Sequence, residues 1–180
     1  VGVFAIGMII SAYAILNEDI NVSYAAVGPA NIEIWTDPFQ EDFPRIIEKI
    51  EGVKFAEGIR ILDIRGRLVG DGWQGLTLIA IDDFSSKKIN QLILKEGNIN
   101  PARGELVVSQ DLMRDTGFQV GDEIQIELPN GNTYLLPLVG IAIDQVTGTS
   151  NPAAKPNAYV TFSTLNLLGL DSTFNRLLVN

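Results

Sequence analysis

The sequence contains neither cysteine nor histidine among its 180 residues. Ser-His-Asp and Cys-His nucleophilic systems therefore cannot be built from this chain, and the usual zinc sites lack their ligands. No disulfide can form, so the fold must depend on its hydrophobic core. An enzyme made from these residues would have to use carboxylates, lysine, serine or tyrosine. We predict no catalytic, cofactor-binding or metal-binding residue, and we expect that the chain is not itself an enzyme.

Basic residues are also scarce, since 13 Lys and Arg stand against 22 Asp and Glu, for a net charge of −9. Nucleic-acid binding requires a basic surface, so we expect no nucleic-acid partner. The same charge disfavours attraction to anionic lipid headgroups. Hydrophobic residues make up 46% of the chain, which is enough for the core of one large domain or two small ones.

The longest hydrophobic run stands at the beginning of the chain, VGVFAIGMIISAYAIL, and carries no charge. It has three interpretations: a buried core helix, a secretory signal with a cleavage pattern at Ala12-Tyr13-Ala14, or the outer end of a transmembrane helix. As a helix the run would cover roughly 24 Å of the roughly 30 Å hydrocarbon core. Acidic residues follow it directly, and the first basic residue is Arg45, which is typical of the outer side of a membrane.

The helical period continues beyond this run and defines an apolar surface, here called the stalk stripe, formed by Tyr13, Leu16, Ile20, Tyr24 and Val27. Gly28-Pro29 then predicts the end of the helix. A cleaved signal does not need a stripe that runs through its own cleavage site. The pattern therefore favours a membrane span that continues outward as a stalk.

The first half of the folded region predicts alternating strands and helices. In order they are a strand over Asn31–Trp35 broken at Asp37-Pro38, a helix over Asp42–Glu51 with Asp42 as its N-cap, a hairpin of Val53–Val69 with Leu76–Ile81, and a helix over Asp83–Leu94.

The second half predicts short strands separated by turns. The Asn-Gly within Pro129–Asn132 indicates a hairpin, and Ser109 and Gly117 bound a short helix. A polar loop follows, from which we select a candidate cargo or partner segment: Thr147, Gly148, Thr149, Ser150 and Asn151. A closing strand, helix and strand end the chain.

This order predicts an α+β fold, with an N-terminal transmembrane or stalk helix and a ferredoxin-like βαβ subdomain interrupted by a smaller β-rich subdomain. The predicted boundaries are residues 1–28 for the membrane helix and stalk, 29–95 for the first part of the ferredoxin-like subdomain, 96–145 for the β-rich insert, 146–157 for a mobile loop, and 158–180 for the closing part.

Two motifs resemble catalytic signatures but lack their context. Gly70-x-Gly72-x-x-Gly75 matches a dinucleotide-binding string, but Gly75 begins a strand where that motif needs a helix. Ser85-x-x-Lys88 has the spacing of penicillin-binding enzymes, but neither a Ser-Asp-Asn nor a Lys-Thr-Gly partner occurs. We interpret the first as a hairpin and the second as a solvated helix start.

The stretch INPARGELVVSQDLMRDTGFQVGDEIQI, from Ile99 to Ile126, resembles a segment of the periplasmic core domains of bacterial ABC permeases of the MacB, LolC/E and FtsX type. Val139-Gly140-Ile141 and the run from Ala158 to Leu165 are similar to later segments of that family. The leading apolar helix corresponds to its first transmembrane span. The resemblance covers essentially the whole chain, and its motifs are structural.

The resemblance implies a permease in the bacterial inner membrane, with this domain facing the periplasm or the extracellular side. It also implies a separate ATP-binding subunit or domain, a second permease copy, identical or related, and a cargo or external partner. The chain has no Walker A string, so it would couple ATP-driven motion without hydrolysing ATP. The stalk stripe would pack on the second copy or on the last transmembrane helices, or only on its own domain. The alternative is a secreted or membrane-anchored ligand-binding module with a signal peptide.

Overall fold

One large mixed sheet organises the chain in the computed structural model, which describes residues 22–68, 70–146 and 155–180. The elements are β1 Ile32–Phe39, α1 Asp42–Ile47, β2 Ala56–Leu68, β3 Gln74–Ile81, β4 Ile93–Gly97, β5 Leu106–Ser109, α2 Gln110–Thr116, β6 Glu123–Glu127, β7 Thr133–Ile143, β8 Asn157–Thr161, α3 Phe162–Leu167 and β9 Phe174–Val179. Residues 22–26 are also helical. The fold is therefore α+β, with few and short helices.

The strand order is β1-β9-β2-β3-β8-β5-β7-β4, and β6 pairs with both β2 and β7. The pairs β3–β8 and β5–β7 are parallel, and the other pairs are antiparallel. Different parts of the long strand β2 pair with different strands: its beginning pairs with β9, and its end pairs with β6. None of the helices within the described ranges is long and apolar enough to cross a bilayer.

Alternating residues of the central strands supply two separate cores, because successive side chains in a strand point to opposite faces. On one face Leu76 and Leu78 pack with Leu112 of α2 and Leu165 of α3. On the other face Ile79 packs with residues of neighbouring segments, including Ile59, Ile89, Val107 and Tyr159. A third, smaller cluster of Ala56, Leu177 and Val179 lies beside Ile47 of α1.

Several sequence predictions match these elements. The hairpin that contains Gly70, Gly72 and Gly75 forms between β2 and β3, with Gly75 inside β3. The Asn-Gly turn joins β6 to β7, with Gly131 at φ +84°. Helix α2 begins after Ser109 and ends at Gly117, which adopts φ +76° and donates its amide to Met113.

The predicted helix over Asp83–Leu94 is wrong. That segment is irregular up to Leu92, and then forms strand β4. The Glu57 carboxylate accepts hydrogen bonds from the amides of Lys88 and Ile89, and Asn90 takes a positive φ of 52°. A helix would need these amides for its own ladder and all its residues at negative φ. Tertiary contacts therefore override the apolar spacing.

Two other predicted boundaries are wrong, those of the first strand and of the first helix. Strand β1 continues through Asp37-Pro38 to Phe39, because a register shift between Trp35 and Phe39 accommodates the proline. Strand β7 likewise runs through Pro137 without a break. The first helix is shorter than predicted, ending at Ile47, and its N-cap is Glu41 where Asp42 was expected.

We expect Leu138→Ala in β7 to destabilise the domain by about 2–5 kcal/mol, the usual cost of truncating a buried leucine. Leu138 is 1% exposed and belongs to the larger core. Leu135→Ala in the same strand is the matched control, because Leu135 is 51% exposed. Urea unfolding of both variants measures the difference. Equal losses would contradict the assignment of the two faces of β7.

Candidate functional site

The end of the N-terminal helix is anchored to the sheet domain. The helical residues 22–26 stop at Gly28, which has φ +59° and donates its amide to the carbonyl of Ala25 at 3.1 Å. Val27 is 3% exposed, whereas Tyr24 remains 44% exposed. Of the stalk stripe, therefore, Val27 is buried in its own domain and Tyr24 is partly exposed. Tyr13, Leu16 and Ile20 lie outside the described residues.

The segment 88–91 provides the first set of anchoring contacts. The amides of Asn90 and Gln91 donate to the carbonyls of Gly28 and Val27 at 2.9 and 2.8 Å. The side-chain oxygen of Asn90 accepts the amide of Ala30 at 2.8 Å. A Cβ at Gly28 would overlap the carbonyl oxygen of Lys88, so the two segments can approach this closely only with glycine at position 28.

Asn180, directly after β9, provides the second set of anchoring contacts. Asn180 donates from its side chain to the carbonyl of Pro29 at 2.7 Å, and its own carbonyl accepts the amide of Lys54 at 2.7 Å. The amide of Asn31 donates to Val179 at 2.8 Å. The end of the N-terminal helix and the residues that follow β9 therefore meet at one end of the sheet. We call residues 27–30, 53–55, 88–91 and 179–180 the junction.

A buried ion pair holds the segment 88–91 in position. Lys87 Nζ lies 3.2 Å from Glu57 Oε2, and the Lys87 side chain is only 7% exposed. Burial lowers the pKa of the Lys87 ammonium, while the Glu57 carboxylate acts in the opposite direction. The other oxygen of Glu57 accepts the amides of Lys88 and Ile89. One carboxylate thus connects strand β2 to the segment that holds the helix end.

A cleft of about 430 Å³ lies beside this ion pair, between α1 and the loop that follows β3. Its apolar lining includes Ile59, Ile81 and Phe174. Its polar lining comes from both sides and comprises Glu41, Arg45, Glu48, Glu57, Asp82, Asp83, Ser86, Lys87 and Lys88. The cleft therefore combines an apolar floor with a charged rim.

Two neighbouring aspartates at this rim have opposite electrostatic environments. Burial raises the pKa of Asp82, and the charges of Glu41 and Asp83 add to the effect. Hydrogen bonds from Ser85, and then from Ser86, lower the pKa of Asp83. Asp83 Oδ1 accepts both the amide and the hydroxyl of Ser85, at 2.8 and 2.6 Å. The Ser85 hydroxyl is therefore bound to Asp83, and not to the lysine with which the penicillin-binding spacing would pair it.

The described part of the chain contains no group of three or more acidic side chains arranged to hold a metal ion. Lys87, the deepest charged group of the cleft, is neutralised by Glu57.

A second polar cluster lies between β7 and β8. Tyr159 Oη donates to Asp144 at 2.6 Å, and the side-chain amide of Asn157 donates to the same oxygen at 3.2 Å. The backbone amide of Asn157 donates to Ser109 Oγ at 3.3 Å. These residues border the predicted cargo segment, Thr147 to Asn151, which lies outside the described residues.

No local sequence pattern marks Glu57, Lys87, Asn90 or Asn180 as functional candidates. Gly28-Pro29 was a visible signal for the helix end, but nothing local marks its partners, since Asn90 and Asn180 lie 60 or more residues away in sequence.

No protein-family model and no curated protein matches this chain in sequence. Its fold, however, is that of extracytoplasmic domains of ABC transporter permeases. One structure with a similar fold is the extracellular domain of the ABC-type transporter YknZ from Gram-positive bacteria. The match has a TM-score of 0.56 and 13% sequence identity, and it covers 82% of this chain and 81% of that domain.

Two further structures share the fold. The periplasmic region of MacB from Actinobacillus actinomycetemcomitans has a TM-score of 0.53 at 13% identity, over 83% of this chain and 66% of that one. A domain of a permease-type protein from Porphyromonas gingivalis has a TM-score of 0.51 at 15% identity, over 76% and 60%. The chain therefore spans only part of these two domains, and at such identities the likeness is one of fold.

We expect Gly28→Ala to loosen the junction. An alanine at position 28 would have to adopt a left-handed backbone conformation, which costs about 1–2 kcal/mol. Its Cβ would also overlap the carbonyl oxygen of Lys88. Gly52→Ala is the control, since Gly52 has φ +91° but open space around it. Hydrogen exchange at Asn90 and Gln91 should accelerate in Gly28→Ala only. Similar exchange in both variants would contradict the close approach.

We expect substitutions of the two rim aspartates to change stability in opposite directions. Because the pKa of Asp82 is raised in the fold, its charged form destabilises the protein, so Asp82→Asn should raise the Tm at pH 7. That gain should disappear below the ordinary aspartate pKa of about 3.9.

The pKa of Asp83 is lowered, so Asp83→Asn should reduce the Tm at pH 7 and have no effect once the pH falls through the lowered value. Thermal unfolding from pH 3 to 8 tests both variants. Shifts of the same sign in both variants would refute this account of the rim.

Proposed function

We propose that this chain is the extracytoplasmic domain of an ABC transporter permease, and that it couples ATP-driven motion to cargo or to an external partner. The observation that carries the proposal is the junction, where the end of the N-terminal helix and Asn180 are hydrogen-bonded side by side. A domain placed between two membrane helices needs both of its ends at the surface that faces the membrane.

The apolar run over residues 1–16 directly precedes this junction in sequence. The shared fold with the YknZ and MacB domains supports the same placement. We infer that the run enters a bacterial cell membrane, and that the domain faces the periplasm or the extracellular side. A partner ATPase would supply hydrolysis, and the domain itself would be non-catalytic.

The contacts offer a route by which motion of the N-terminal helix reaches the cleft. Displacement of Val27 and Gly28 would pull on Asn90 and Gln91 through their backbone hydrogen bonds. Glu57 and Lys87 connect that segment to strand β2 and to the cleft wall. Such a chain of contacts can transmit motion if the cleft has two arrangements, which is the mechanism we propose for coupling.

The remaining parts of the proposal rest on sequence. We propose that residues 29–95 and 158–180 form the ferredoxin-like part, and that residues 96–145 form the β-rich insert. The outer part of the stalk stripe would contact a second permease copy, and the segment from Thr147 to Asn151 would contact cargo or an external partner.

The test introduces a single cysteine, since these 180 residues contain none, and any cysteine elsewhere in the full-length protein is first replaced by serine. In intact bacteria, Leu167→Cys of the full-length protein should react with a membrane-impermeant maleimide, because Leu167 is exposed. Affinity purification from those membranes should recover an ATPase with a Walker A sequence. Labelling only after lysis would overturn the proposal. Protein found free outside the cell without an ATPase would favour a secreted binding module.

A further inference from the structure

Exposed apolar side chains are concentrated in one part of the molecule. Of the twelve large apolar side chains that are exposed in the described ranges, eight lie between residues 22 and 50. Single exposed apolar residues are ordinary, but a contiguous group marks an interaction surface.

Two members of this group lie on β1. Ile32 and Ile34 pair with Val179 and Leu177 of β9, and paired residues share a face of the sheet. That face is the one on which Ile47 of α1 packs. Helix α1 does not cover the outermost strand, so both isoleucines remain exposed.

The second part of the group lies on α1 and the turn that follows it. Glu41, Arg45 and Glu48 line the cleft, so this flank of α1 points away from β1. At about 100° per residue, Phe43 and Ile46 project from the opposite flank, and Ile50 lies in the turn that follows the helix. The Phe43 ring lies 5.2 Å from that of Phe39 in β1, which places this flank toward β1.

We call these five residues, Ile32, Ile34, Phe43, Ile46 and Ile50, the β1–α1 face. They are between 38 and 56% exposed. With large apolar side chains of about 200 Å² each, they offer on the order of 450 Å² of apolar surface. A stable interface buries about 800 Å² per partner, of which a little over half is apolar, so the area is of the right size.

Strand β1 ends the path of paired strands in the described sheet. Edge strands are commonly protected by lysine, proline or bulges. The opposite edge strand β4 carries Lys95 and Glu96, whereas in β1 the proline and the register shift affect only the part beyond Trp35. The beginning of β1 has neither a lysine, a proline nor a bulge, and Glu33 is its one charged residue.

Few charges border this face, although the chain carries −9 overall. Glu33, the only charged residue at the beginning of β1, forms an ion pair with Arg176. On the helix side, Asp42, Lys49 and Glu51 leave one net negative charge. Two identical faces of this composition therefore meet with little of the repulsion that the overall charge of the chain would produce.

We propose that the β1–α1 face packs against the same face of a second copy of this chain, about a two-fold axis parallel to β1. The inference rests on the proposed function, because two copies anchored in one membrane must keep their junctions at the same end. Antiparallel pairing of the two β1 strands would need an axis perpendicular to β1, which would point the junctions in opposite directions. The contact is therefore between faces, and the sheet does not continue across it.

The test again uses the absence of cysteine from these 180 residues, with any cysteine elsewhere in the full-length protein replaced by serine. Single variants Ile34→Cys and Ile46→Cys of the full-length protein, in membranes, are treated with a short bifunctional maleimide. Leu135→Cys and Leu167→Cys are matched controls, since both leucines are exposed but lie outside the face. We expect dimers of twice the protein mass to form several-fold more with the two face variants than with the controls.

A second change tests the face by disruption. Ile46→Glu in the Ile34→Cys background should lower the cross-linked fraction several-fold, whereas Leu135→Glu in that background should not. Uniform cross-linking at all four positions, absence of dimers, or a product with the mass of a different protein would overturn the proposal. Purification of the ATPase from the same membranes distinguishes failure of this inference from failure of the proposed function. Recovery of an ATPase without cross-linked dimers would overturn this inference only. Cross-linked dimers without an ATPase would overturn the proposed function.

Discussion

The contacts of the Glu57 carboxylate are the constraint on which the candidate site depends. Glu57 pairs with the buried Lys87 and accepts the amides of Lys88 and Ile89. Because these amides are held, the segment after β3 cannot close into a helix, and its carbonyls and amides remain directed at Val27 and Gly28. Removing one partner of a buried ion pair leaves an uncompensated charge, so this region tolerates little change.

Two different surfaces lie on either side of helix α1, close to the Glu57 contacts. On one side of α1, the charged rim and apolar floor form a cleft next to the junction. On the other side, the same helix exposes the apolar flank that faces β1. A helix of only six residues thus separates a cleft from a candidate contact surface. Motion that reaches the cleft through the junction would therefore also reach that surface.

Local patterns predicted the elements whose formation depends on neighbouring residues in sequence. The Asn-Gly turn, the glycine that ends α2 and the hairpin of β2 and β3 form as expected, because a positive φ or a tight turn favours particular residue types whatever surrounds them. The helix over Asp83–Leu94 failed because its apolar spacing, with Ile89 fully buried, arises from packing on the sheet. Periodicity alone does not distinguish these two causes.

Sequence by itself determined the exclusion of thiol and histidine chemistry, the acidic balance, the α+β class and the end of the first helix at Gly28, since each follows from composition or local conformation. Tertiary structure decided that Asn90 and Asn180 hold that helix end, and that Lys87 is buried against Glu57. It also decided which flank of α1 is exposed. These features join residues 30 to more than 150 positions apart, and such pairing depends on the order of strands in the sheet, which local propensity does not encode.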